Sequence, residues 1–222
     1  MITKFVGMYP SCNFQLFLSD KGRLNFFLYP LVFCICLVLV GCVSFVFKPS
    51  VVETRIIEAG GARPSVNFEF MARVLVEGGD KGFSGGIRWN HVSTVDNIQL
   101  LSPFRQVVAE IKSSEGTALL TASEQRIYRA TNVENLIKQV LGWRLPILGL
   151  QYWVRGVNSP KTKSEIDRDA DGRIIGIRQD GWTIIYTSYF PSQLIKTERP
   201  RVLVLKRSNL KIKLVIDNWE TK

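Results

Sequence analysis

The chain has 222 residues, 46% of them hydrophobic and 22% charged, with a net charge of +10. That length suits one domain and a targeting segment, and the composition excludes a disordered chain with too little apolar surface to fold. Lys4, Lys21 and Arg23 against Asp20 put +2 on the first 41 residues and leave +8 on the rest, a balance suited to anionic lipid or an acidic protein partner.

From Phe26 to Phe47 there are 22 residues without a charge, preceded by the basic Lys21 and Arg23. A helix needs about 20 apolar residues to span a bilayer, so length alone allows either an anchor or a secretory signal. The local pattern decides. Leu39-Val40-Gly41-Cys42 resembles the lipobox of bacterial lipoproteins, where the signal is cut before the cysteine and the thiol takes a diacylglycerol. Cys34 and Cys36 follow Phe33 and Ile35 and do not match. Residues 1–41 therefore read as a lipoprotein signal peptide, with Met8 as an alternative start, and Cys42 as the lipidated first residue of the mature chain. No cysteine follows Cys42, so the mature domain holds no disulfide and no cysteine zinc site. An exported, lipid-anchored domain also meets little nucleic acid, which removes the usual partner of a basic protein.

Residues 42–66 read as a lipidated tether, broken by Lys48-Pro49, Gly60-Gly61 and Arg63-Pro64. The domain at 67–222 begins with strict alternation, Phe68, Phe70, Ala72, Val74 and Val76 on one face, which predicts a half-buried strand. A glycine-rich turn leads to a second strand from Phe83 to His91, where Gly85-Gly86 predicts a bulge or a sharp bend. Strands follow at 97–101, around Val107–Ile111, at 116–121 and at 125–128. Thr131-Asn132-Val133-Glu134 is read as a capping box opening a helix with an apolar stripe of Val133, Leu136, Ile137, Val140 and Leu141, ended by Gly142. A second helix from Pro146 to Arg155 is apolar nearly all round. Strands return at 164–168, 173–179, from Trp182, at 201–207 and at 210–218, with hairpin signals at Asp180-Gly181 and Ser208-Asn209. The predicted class is mainly β (α+β), with roughly 10–11 antiparallel strands in a curled sheet and two apolar helices as its cover.

Asp167, Asp169 and Asp171 before Gly172 have the spacing of a calcium loop, but no Glu stands at its twelfth position, and a hairpin turn fits better. His91 is read as a surface or hairpin histidine, without the spacing of a nucleophilic triad. No carboxylate pair, phosphate loop or dinucleotide fingerprint stands out. Two features exceed a bland domain. The aromatic surplus, including Trp89, Trp143, Trp153 and Trp182, fits either an ordinary packed core or the lining of an apolar ligand cavity. Pro103 sets Phe104 at the apex of a turn, where it is either tucked under the sheet or exposed for a membrane or partner.

The run Gly142-Trp143-Arg144-Leu145-Pro146 through Leu150 and Trp153 to Gly156, the ending Leu214-Val215-Ile216-Asp217-Asn218-Trp219, and the pieces Leu101-Ser102-Pro103 and Arg88-Trp89 resemble the LolB family, the outer-membrane receptors for bacterial lipoproteins. The resemblance runs from about Phe68 to Trp219. It implies an incomplete, unclosed antiparallel β-barrel with a helical lid enclosing an apolar cavity for acyl chains, here assigned to Phe70, Trp89, Leu101, Ile147, Leu148, Leu150, Trp153 and Trp182. It implies receipt of acylated lipoproteins from a soluble periplasmic carrier of the LolA type and their insertion into the outer membrane, with no catalytic residue, no metal and no cofactor beyond the covalent lipid on Cys42. The family's protruding loop usually reads Pro-Leu-Gly and is tied to membrane insertion; here it is Pro103-Phe104-Arg105, and the role carries to Phe104, with Arg105 placed to pair with lipid phosphate. Val43, not Asp, follows the lipidated cysteine, which by the same resemblance implies the outer membrane as address, periplasmic face, as a monomer. The other readings are a structural or assembly lipoprotein with a packed core, and an anchored hydrolase of envelope glycans.

Overall fold

In the computed structural model, residues 50–60, 66–78, 81–123, 125–191 and 198–220 are described. The lipobox and Cys42 lie outside them. Residues 48–222 form one compact unit.

Apolar–polar alternation makes strands of most of this unit. In chain order they are β1 Glu53–Ile57, β2 Phe68–Glu77, β3 Phe83–Val92, β4 Val95–Leu101, β5 Val107–Ser114, β6 Thr117–Ala122 and β7 Ile127–Ala130. Helices α1 Val133–Leu141 and α2 Ile147–Trp153 follow, then β8 Ser164–Arg168, β9 Ile174–Gln179, β10 Trp182–Tyr189, β11 Pro200–Arg207 and β12 Leu210–Glu220. They form one 12-stranded sheet in the order β1-β8-β9-β10-β11-β12-β2-β3-β4-β5-β6-β7, every neighbour antiparallel. β1 and β7 end the sheet without pairing to each other, so the barrel is unclosed.

The core shows how strongly the sheet curls. Ile177 of β9 and Leu120 of β6 share one buried cluster, yet eight strand spacings separate them, about 38 Å if the sheet were flat. Register shifts in β4–β5, β8–β9, β10–β11 and β12–β2 supply bends. Gly85 supplies another: a Cβ there would stand 2.0 Å from the Leu101 carbonyl oxygen, so only glycine lets β3 and β4 close up.

Three expectations need correction. The sheet has one strand more than the sequence suggested, because β1 lies in the stretch read as tether. It pairs with β8, Thr54 opposite Asp167, and the Thr54 hydroxyl donates to Asp167 Oδ1 at 2.7 Å. The α1 cap sits one residue later than the capping box, at Asn132, whose side chain accepts from the Asn135 N–H at 2.9 Å. Gly142 does end α1, at φ 82° with its N–H donating to the Lys138 carbonyl. Pro146 is the residue before α2 rather than its first turn; its carbonyl accepts from Leu150 N–H at 2.7 Å.

Candidate functional site

The β4–β5 loop is the most exposed apolar feature of the described domain. Ser102 N–H donates to the Gln106 carbonyl at 2.8 Å and Arg105 N–H to the Ser102 carbonyl at 2.9 Å, a tight turn that Pro103 pre-forms. Phe104 stands at its apex with 87% of its surface exposed. Arg105 closes the turn at φ 62°, the left-handed region that glycine occupies without strain. The sequence left open whether Phe104 tucks back; the structure places it outward.

The residues assigned to the acyl cavity divide. Phe70, Trp89, Ile147, Leu150, Trp153 and Trp182 belong to one buried cluster inside the curl. Phe70, Trp89, Ile147 and Leu150 are 0% exposed, so no water-sized space touches them and neighbouring side chains fill the interior. Leu101 is buried but lies outside that cluster, on the outer face opposite Gly86. Leu148 is on the outward side of α2, 47% exposed.

Both helices pack onto the interior, α1 with Leu136 and Ile137 and α2 with Ile147, Leu150 and Trp153. Gly149 admits the Trp153 indole, since a Cβ there would stand 2.5 Å from it. Two hydrogen bonds latch α2 to the sheet. Trp153 Nε1–H donates to Gln179 Oε1 at 3.0 Å, and Tyr186 O–H donates to the Trp153 carbonyl at 2.8 Å. Burial pushes the Tyr186 phenol well above its usual range, so it remains a donor. Gln179 also accepts from Ser159 N–H at 2.9 Å and donates to the Ser159 and Thr162 carbonyls, fixing the chain that leaves the lid. Burial also raises the Glu134 carboxyl above its usual range, against the opposing pull of the Leu148 backbone N–H.

At the end of the barrel beside α2 lies a polar groove of about 520 Å³, lined by Leu148, Tyr152, Arg155, Lys161, His91 and Asp96 among others. Of the surface or hairpin position expected for His91, the structure has the hairpin, with His91 opposite Asp96 and buried. It is 5% exposed, stacked on Phe68 with ring centroids 5.0 Å apart, and its Nδ1 lies 2.7 Å from Asp96 Oδ1. Trp89 Nε1–H donates to the same oxygen at 2.8 Å. Asp96 thus joins two rings of the core and closes the barrel end. Sequence reading missed this group because Asp96 sits across a hairpin whose register it did not set. The Asp167 carboxylate faces Arg178, with Nη2–Oδ1 at 2.9 Å. Hydrogen bonds from Arg178, and then Thr54, hold its carboxyl below the usual range. Asp169 accepts from Asp171 and Arg173 N–H groups. Of the three carboxylates only that of Asp169 bonds within the hairpin turn, and among the described residues no group of three or more His, Cys, Asp or Glu is placed to hold a metal ion. No helix of the described residues is long and apolar enough to cross a membrane.

A family model described as "Outer membrane lipoprotein LolB" matches residues 66–219. An outer-membrane lipoprotein LolB of Nitrosomonas europaea is 41% identical over 189 residues, covering 84% of this chain and 89% of that protein. One from Thiobacillus denitrificans is 38% identical, over 67% of this chain and 77% of its own. Among solved structures, a LolA superfamily protein from Nitrosomonas europaea superposes with a TM-score of 0.42 at 8% identity, over 70% of this chain and 86% of that one.

Proposed function

The chain belongs to the LolB family of outer-membrane lipoproteins, and on that premise we propose that it accepts acylated lipoproteins from a soluble periplasmic carrier and passes them into the outer membrane. No covalent chemistry is needed in this role. The observation that carries the reading is Phe104, a large apolar side chain held out from the domain on a pre-formed turn, as an element that enters a bilayer would be.

Cargo acyl chains would replace the side chains that fill the interior now, entering by displacement of α1 and α2 beside the polar groove of Tyr152 and Arg155. Leu150 and Trp153 would line the opened space with Phe70 and Trp89. The carrier is of the LolA type, and the net basic charge of the domain suits an acidic face on it. Cys42 would carry the lipid anchor, and the chain would act as a monomer on the periplasmic face of the membrane.

Transfer runs downhill if carrier, receptor and bilayer bind the same acyl chains in rising order, at about 0.8 kcal/mol per buried CH₂. The test is replacement in cells depleted of their own receptor. This chain should return other lipoproteins to the outer membrane; their accumulation in the periplasm despite its presence would overturn the proposal. A filled interior also suits an assembly lipoprotein with a permanent core. Displacement of a bound fluorescent fatty acid by acylated peptide separates the two, since a permanent core binds neither.

A further inference from the structure

The outward face of the sheet holds a groove separate from the barrel interior. By register, Lys213, Leu75 and Ser84 form one row across β12, β2 and β3. Val215, Arg73 and Gly86 form the next, which continues to Leu101 on β4. Gly86 leaves the surface low there, with Leu101 beside it: a Cβ at Gly86 would lie 3.3 Å from that side chain. The 102–105 turn adds a wall with Ser102, Pro103 and Arg105, and the groove encloses about 570 Å³. Its floor is apolar, with Met71, Leu75 and Val215, while Arg73, Arg105 and Lys213 supply three cations against the single carboxylate of Asp217. Asp217 is engaged by Arg73 at 3.0 Å. Arg105 and Lys213 make no ion pair among the described residues.

We propose that this groove binds the phosphate headgroup of an anionic membrane lipid, beside the point where Phe104 enters the bilayer. Arg105 and Lys213 are the charge-assisted donors to the phosphate oxygens, with the Ser84 and Ser102 hydroxyls as further donors. The apolar floor takes the glycerol and the first methylenes, which a free phosphate does not have. The position fits the same chemistry. An apolar element of a surface-bound protein sinks about 5–10 Å into the boundary of headgroups and acyl chains, which sets Arg105, the next residue, at the phosphate layer. The groove would fix the orientation of the receptor on the membrane while the tip alone would leave it free to rotate. This inference rests on the insertion role of Phe104, and the experiment separates the two.

The chain from residue 48, which holds the whole sheet, both helices and their core, is sedimented with vesicles of phosphatidylcholine alone or mixed with phosphatidylglycerol. Arg105→Gln with Lys213→Gln should weaken binding to the mixed vesicles by about thirtyfold, on the usual contribution of two cations at an anionic surface, and leave phosphatidylcholine binding unchanged. Ser84→Trp, which fills the groove and keeps every charge, should abolish the same preference. Arg129→Gln with Lys138→Gln, an equal charge loss on β7 and α1, should change binding by less than about threefold. The proposal is overturned if both double variants fall alike, if Ser84→Trp keeps the preference, or if inorganic phosphate at constant ionic strength releases the protein. It is also overturned if the Arg105/Lys213 variant binds vesicles normally and loses only the carrier. Phe104→Ser should weaken binding to both vesicle types and keep the ratio between them. Unchanged binding by that variant, with the groove variants still losing the preference, would leave the groove and overturn the loop reading.

Discussion

Replacing Phe104 by serine isolates the contribution of one side chain to membrane contact. Burying a Phe side chain contributes about 1.5–3 kcal/mol, and 87% of Phe104 is exposed in the domain and available to a bilayer. Full insertion is therefore worth about 1.3–2.6 kcal/mol, about tenfold to eightyfold in partition. The backbone bonds of the turn, Ser102 N–H to Gln106 and Arg105 N–H to Ser102, do not involve the side chain, so stability should change by less than about 0.5 kcal/mol. The assay is sedimentation of the chain from residue 48 with neutral vesicles, alongside a thermal melt. Phe104→Leu should retain most of the binding and Phe104→Ser lose it within that range. A loss below about twofold at an unchanged melting temperature would refute the reasoning, because an inserted ring cannot be removed so cheaply.

Arg105→Gly relieves a left-handed non-glycine residue at φ 62°; after the entropy cost of a new glycine it should gain about 0.5–1 kcal/mol, about 1–4 °C in melting temperature. A lower melting temperature would show that the arginine side chain supports the turn. Gln179→Leu strands two buried donors, Trp153 Nε1–H and Ser159 N–H, and should cost about 2–6 kcal/mol, read from a denaturant midpoint. Asp167 titrates low in the folded state because Arg178 and Thr54 bond its carboxylate. The stability it contributes is therefore full above its unfolded pKa and is lost as pH falls through the lower folded value. Amide protection at Thr54 to Ile57, taken relative to the intrinsic exchange rate, should fall below about pH 4, and Asp167→Asn should flatten that dependence; protection independent of pH in the unsubstituted chain would sever β1 from this ion pair.

What was legible in the sequence follows from where each element buries its surface. β2 has the bounds that its alternation suggested, because every second residue from Phe68 to Val76 faces the core. β1 carries almost no buried residue; it is held by backbone pairing and Thr54, which leave no hydrophobic period to read. The apolar set of the two helices and of Trp89, Trp153 and Trp182 was legible as a group, while the outward turn of Leu148 and the outer-face position of Leu101 were not. Leu101 follows the inward Leu100 in unbroken alternation along β4 and so faces outward opposite Gly86, and its apolar side chain is buried there without belonging to the core. The outer groove was the least legible feature. Arg73 and Asp217 meet across 144 residues of sequence, and its shape depends on the absence of a side chain at Gly86.

The filled interior bears directly on the direction of transfer. Under the proposed role, an incoming acyl chain must first release the two hydrogen bonds that hold α2, Trp153 to Gln179 and Tyr186 to Trp153. At about 0.5–1.5 kcal/mol each, they are offset by about one to four buried methylenes. A lipid chain of more than about ten methylenes exceeds that threshold severalfold, so the latch holds the lid shut without barring acyl cargo. The apolar faces of Leu150 and Trp153, which the lid now buries, would contact the acyl chain instead, so their burial largely cancels between the two states. The latch does not cancel. It weakens the receptor's grip on cargo relative to a pre-formed cavity, and it re-forms when the chain leaves. A receptor that refills its own core on release therefore adds the latch energy to the drive toward the bilayer. Weakening the latch should tighten cargo binding and slow delivery together, an outcome that a passive cavity does not produce.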